Sequence, residues 1–305
     1  MKLIRNMIAT VSTVVVMSSA ANAADLVVGE PNWPSARATA YVLASIIEND
    51  MGYDVDIVPG SNEVIFAGMD RGKGDIDVHP NTWVPNHSHL HQKYIDEAGS
   101  VFMSENSYQG TSGYFAPRYF SEEYGVTSIF DLTNPEITKL LDRDGDGKGD
   151  VWFGALGWSS TNVELVKARD YGYAELITPS MIDENLIIAE LDRYYSDKKP
   201  YLMYFYSPHW LFSKYDMIQL EEPPHGEDCW TMVQPKDDVE WFEKSSVSCG
   251  WPATSGAIAF SSRLKNQLPD VAEFLERAEV TGEMAAEWSY ALSVDKRDAE
   301  EYAKE

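Results

Sequence analysis

Short apolar runs alternate with helical stretches along most of the chain, and this alternation predicts its elements. An apolar strand over 26–29 is followed by the turn Pro31-Asn32-Trp33-Pro34. Ser35 can cap a helix in which Ala40, Leu43, Ala44 and Ile47 recur at helical spacing, and Gly52 ends it. A second strand is expected over 54–58, a helix over 62–71 and a third strand over 76–79. Strand and helix in strict alternation with short connections predict a parallel sheet covered by helices. Ligands of such sheets bind beyond the C-terminal strand ends, where the turns carrying Trp33 and Trp83 fall.

Residues 108–116 are polar and glycine-rich, and a second α/β set follows them. Helices are expected over 130–141, 162–171 and 181–195, and strands over 151–155 and 200–206. A strand over 256–260 returns to the first unit, and helices from 269 to 304 finish the chain. The expected fold class is therefore α/β, with two lobes joined by two crossings into a hinged clamshell. Residues 24–110 plus 255–305 form lobe 1, and 111–254 form lobe 2.

The first 23 residues read as a leader. Lys2 and Arg5 precede an apolar run over 7–17, and Ala21-Asn22-Ala23 fits a small-x-small cleavage site. The run is shorter than the roughly 20 residues of a membrane span. These features predict a signal peptide over 1–23 and an exported chain starting near Ala24; the alternative is an uncleaved anchor. Apolar residues at 44% exclude wholesale disorder. With 24 Lys plus Arg against 49 Asp plus Glu, the net charge of −25 argues against nucleic acid and anionic lipid as partners. The two cysteines are too few for a disulfide scaffold. In an exported protein, Cys229 and Cys249 are expected to form one bridge around a loop rich in turn formers, the alternative being two buried thiols.

One segment has metal-ligand spacing. Asp142, Asp144, Asp146 and Asp150 occupy positions 1, 3, 5 and 9 of an acidic loop, with Gly147 at the sharp turn and the Lys148 carbonyl at position 7. That pattern matches an oxygen-rich Ca²⁺ loop, although Phe153 replaces the bidentate Glu at position 12. A structural Ca²⁺ is expected, against the alternative of an acidic turn without metal.

Tryptophans carry the functional argument. Trp33, Trp83, Trp158 and Trp210 sit on turns at strand ends, and Tyr206 lies beside them, whereas Trp152, Trp241 and Trp288 read as core. Ring faces converging from two lobes would box a quaternary ammonium by cation–π attraction. Ser159 begins a helix whose free amides suit the anionic end of such a ligand, and His87 can donate to the same group. His87 also reads as a surface histidine of the 87–91 run, sharing a helical face with His91. Glu30, beside Trp33, is an acidic contact or a solvated strand-end carboxylate.

With these residues the chain resembles the periplasmic substrate-binding proteins of ABC importers for glycine betaine and related osmolytes, including trimethylamine N-oxide. The resemblance rests on Asn81-Thr-Trp83-Val-Pro85-Asn-His87, the acidic loop, Gly157-Trp158 and the run 204–210. It implies a type II clamshell, Trp83 and Trp158 as box walls, His87 and the amides near Ser159 as carboxylate partners, and an inner-membrane permease as partner. Tyr206 stands where betaine binders carry a further Trp, and Trp33 and Trp210 are expected to compensate. The expectation is a periplasmic receptor for a trimethylammonium ligand that makes and breaks no bond. Rival readings are a secreted Ca²⁺-binding carbohydrate-binding protein and a Ca²⁺-dependent hydrolase. No Gly-x-Ser-x-Gly or His-Glu-x-x-His motif is present for the latter.

Overall fold

The computed structural model describes residues 24–305, so the expected leader over 1–23 lies outside the described residues. The first lobe opens with β1 (Leu26–Glu30), α1 (Pro34–Ile46), β2 (Val55–Pro59), α2 (Asn62–Arg71) and β3 (Val78–Val84). Pro34 sits at the first position of α1, where its missing N–H is harmless. Ser61 caps α2 by accepting the Val64 amide. β1 pairs in parallel with β2 and β3, as the alternation requires.

β3 departs from expectation. It starts two residues late and runs through Trp83, so that Trp83 lies within a strand instead of a turn. The cause is a distant partner, β10 (Thr254–Ser261), which pairs antiparallel with β3 and holds Gly256 opposite Trp83. β4 (Val101–Met103) adds to the far end of β10.

The polar, glycine-rich stretch is itself a strand, β5 (Tyr108–Pro117). Its first three residues pair with β10 and its next five with β8 (Met203–Ser207), so it belongs to both halves of the sheet. Gly110 marks the changeover. A Cβ there would lie 2.4 Å from the Ser207 carbonyl oxygen and 2.7 Å from the Trp83 ring.

The second lobe adds β6 (Gly149–Trp152), α3 (Ser159–Asp170), β7 (Ile177–Ser180), α4 (Glu184–Ser196) and β9 (Met217–Gln219). β6 pairs in parallel with β7 and β8, whereas β9 pairs antiparallel with β5. The sheet order is β2-β1-β3-β10-β5-β8-β6-β7. The helix expected over 130–141 is broken into three short turns. Pro135 pushes Asn134 out of the helical region, to φ −90° and ψ 114°. The architecture is the expected two-lobed α/β clamshell.

Cys229 and Cys249 are disulfide-bonded, with Cα atoms 5.8 Å apart. The bridge clasps a small antiparallel pair, Trp230 against Val247, just before the chain returns to β10. No helix among the described residues is long and apolar enough to cross a membrane.

Candidate functional site

A small cavity lies where the two lobes meet, with about 40 Å³ open to the centre of a water molecule. Lobe 1 lines it with Trp33, Asn62, Trp83, Asn86 and His87. Lobe 2 adds Ser112, Trp158, Ser159, Ser160, Tyr204 and Tyr206.

Four rings form its wall. Trp33 meets Trp158 edge-on at 6.1 Å between centroids, Trp158 meets Tyr206 at 6.0 Å, and Tyr206 meets Trp83 at 6.0 Å. Every indole N–H of this wall is engaged by an asparagine. Trp33 and Trp83 both donate to Asn81 Oδ1, at 3.1 and 3.0 Å, and Trp158 donates to Asn32 Oδ1 at 2.8 Å. Asn81 Nδ2 in turn donates to the Tyr108 hydroxyl. The wall therefore offers ring faces and edges to a ligand and keeps its indole donors to itself.

His87 is the polar complement from lobe 1. Its Nδ1 accepts the Trp83 amide at 3.2 Å, so the ring proton sits on Nε2. Burial, reinforced by the neighbouring His79 and His91, pushes its pKa well below the usual histidine value. His87 is thus a neutral donor. His91 is occupied by Thr82, whose hydroxyl lies 2.8 Å from Nε2 and 2.9 Å from His87 Nδ1, so the pair is buried structure instead of a surface run.

The lobe 2 complement is the start of α3. Trp158 caps it without a side-chain bond, and Ser159 and Ser160 supply first-turn amides with no acceptor inside the helix. Ser159 Oγ and Asn86 Oδ1 are buried without a partner. Tyr206 donates to Glu184 Oε2 at 2.8 Å.

Two predicted residues stand outside this lining. Glu30 pairs with Arg37 at 3.1 Å on the cleft rim, as a strand-end carboxylate beside a helix would. Trp210 is buried behind the wall between His209 and Tyr290. Its place one residue past Ser207-Pro208-His209 turns it away from the cavity. Asn81, Asn32, Asn62, Asn86 and Ser112 were not legible as site residues. Asn81 and Asn86, either side of Trp83 in the 81–87 motif, had a motif to flag them.

In the acidic loop, carboxylate oxygens of Asp142, Asp144 and Asp146 lie within 4.8 Å of one another, an all-oxygen set suited to a hard cation. Asp142 also accepts the Gly145 and Gly147 amides, and Asp146 accepts the Lys148 amide. Asp150 is not in this group. It accepts the Arg143 amide at 2.7 Å, which draws it to the other side of the turn.

A family model described as the substrate binding domain of ABC-type glycine betaine transport systems matches residues 24–305. Among curated proteins, the glycine betaine-binding periplasmic protein OusX of Dickeya dadantii is 24% identical over 186 residues, 60% of this chain and 56% of that protein. The glycine betaine/proline betaine-binding periplasmic protein of Escherichia coli is 24% identical over 190 residues, with the same shares. The chain thus spans little more than half the length of these relatives. Among solved structures, lactococcal OpuAC in its closed form with glycine betaine superposes with a TM-score of 0.66 at 21% identity, covering 92% of this chain and 93% of that one. A choline-binding ABC-transporter protein in complex with choline gives 0.67 at 16% identity, covering 91% and 86%.

Proposed function

The chain belongs to the family of substrate-binding domains of ABC-type glycine betaine transport systems, and from that premise we propose that it is an exported receptor for a compact trimethylammonium osmolyte, glycine betaine or trimethylamine N-oxide. The observation that carries this reading is the ring wall of Trp33, Trp158, Tyr206 and Trp83 with its indole donors turned away. Each ring face adds about 0.5–2 kcal/mol toward a cation, and the rings exclude water from methyl groups that water holds weakly. The oxygen end of the ligand meets His87 Nε2–H and the first amides of α3.

The protein's task on this reading is recognition, followed by delivery to a permease in the inner membrane, with no bond made or broken. Strand β5, shared between the halves, and the return into β10 act as its two hinge crossings. Asp142, Asp144 and Asp146 hold a Ca²⁺ that staples the loop preceding β6. Calorimetric titration of the mature chain with glycine betaine and with trimethylamine N-oxide tests the reading. Saturable one-to-one binding of either supports it and selects the ligand. Silence from both, in folded protein free of co-purified ligand, overturns it.

A further inference from the structure

Behind the wall, and outside the cavity lining, lies a buried carboxylate. Glu184, 1% exposed, is the first residue of α4, where the N-terminal end of the helix dipole favours negative charge. Both of its oxygens are hydrogen-bonded: Oε2 accepts from the Tyr206 hydroxyl at 2.8 Å and Oε1 lies 3.1 Å from His209 Nε2. His209 Nδ1 accepts the Leu211 amide at 3.1 Å, so its single ring proton is on Nε2 and the imidazole is neutral. No Lys or Arg among the described residues pairs with Glu184. Tyr206 keeps its proton, because burial first and the Glu184 charge second push its phenol far above the usual value.

A buried carboxylate with donors but without a counter-ion leaves a negative field on its surroundings. The nearest cavity lies one phenol ring away. A tyrosine that donates to an anion also gains electron density over its face, where a cation would sit.

We infer that Glu184 is a specificity-determining residue that acts through Tyr206, its charge selecting a ligand with a cationic head group over one with an uncharged head group of the same shape. This rests on the receptor reading above. It differs from that reading in assigning charge discrimination to a residue that never touches the ligand. The wall alone recognises shape and a cation by its rings, and Glu184 supplies the fixed charge.

The test compares each ligand with an isostere in which carbon replaces the quaternary nitrogen, so that the head group is uncharged: glycine betaine with 3,3-dimethylbutyrate, and trimethylamine N-oxide with tert-butanol. Affinities are measured for wild type, Glu184→Gln and Glu184→Asp, with thermal melting as the folding control. Gln keeps the size and one acceptor but removes the charge. In Glu184→Gln the preference for the cation over its isostere is expected to fall about tenfold, the scale of a unit charge several ångströms away in a medium of intermediate dielectric. In Glu184→Asp it is expected to be largely restored. A merely structural role would weaken cation and isostere equally, leaving the ratio unchanged, and that result overturns the inference while sparing the receptor function. Silence of the wild type toward both cations overturns the two together. If Glu184→Gln does not fold, infrared difference spectra of wild type with ¹³C-labelled glutamate decide. A carboxylate band that moves with the cation and not with its isostere supports the inference, and a band unmoved by either overturns it.

Discussion

The two lobes build their halves of the cavity from opposite materials. The lobe 1 half is neutral and closed on itself: Asn81 holds two indoles, Thr82 holds two imidazoles, and Asn62 meets His79 at 3.0 Å. The lobe 2 half is underlain by buried charge. Beyond Glu184, Lys167 is fully buried between Glu164 and Glu222, with the Trp251 indole on Glu164 and the Tyr171 hydroxyl on Glu222. Neutral networks fix geometry at little electrostatic cost, whereas buried charges shape the field and become costly once a partner is lost. One half positions the rings, and the other sets the potential they are seen in.

That contrast can be broken at its most charged point. Lys167→Met should leave two buried carboxylates facing each other, one of them, Glu164, already pushed upward by burial. The expected loss is about 3–5 kcal/mol of stability, read by denaturant unfolding. An unchanged midpoint would mean that water, not Lys167, compensates the pair. Substitutions in the walls come next. Trp83→Ala and Trp158→Ala should each weaken ligand binding by about 1–3 kcal/mol with the fold retained. Wild-type affinity in both would remove the ring wall from the function.

The neutral half makes its own prediction in acid. Burial lowers His79 to about 3 and His91 to about 4, and holds His87 well below its usual value. The unfolded chain takes up these protons below pH about 6.5 while the folded chain does not. Stability therefore falls as pH drops from about 6.5 toward 4, by about 1–2 kcal/mol per imidazole by pH 5. His91→Gln should flatten that fall in melting curves by one imidazole's share, and identical slopes would contradict the assignment. Smallest is the acidic loop of lobe 2. Chelation should lower the melting temperature by a few degrees at most, equivalent to about 1 kcal/mol. Asp144→Ala should abolish the response.

Much of this was readable before folding, for a local reason. Elements such as α1 and α2 carry their own periodicity and caps, so their signals need no distant partner. Trp83, His87 and Trp158 were legible as cavity lining because a family motif surrounds each. β5 was hidden because glycine and polar residues mask a strand whose pairing is supplied from both sides. The extent of β3 was hidden because β10, more than 170 residues later, decides it. The break at Pro135 is legible in the sequence, since proline disfavours a helical conformation at the residue before it. Glu184 was out of reach, since it acts on a ring brought near by the fold and not by the chain; the motif flagged Asn81, but its second indole, Trp33, is brought to it by the sheet. Trp210 was read as wall from its place on a strand-end turn, yet it packs between His209 and Tyr290, outside the cavity lining.

The shared oxygen of Asn81 bears on how this site can change over generations. Two walls hang on one atom, so a substitution at position 81 perturbs Trp33 and Trp83 together, and neither can be retuned without the other. Trp158 and Tyr206 hang on separate partners, Asn32 and Glu184. Diversification of ligand range is thereby channelled to the lobe 2 face, one ring at a time, while the lobe 1 face is inherited as a block.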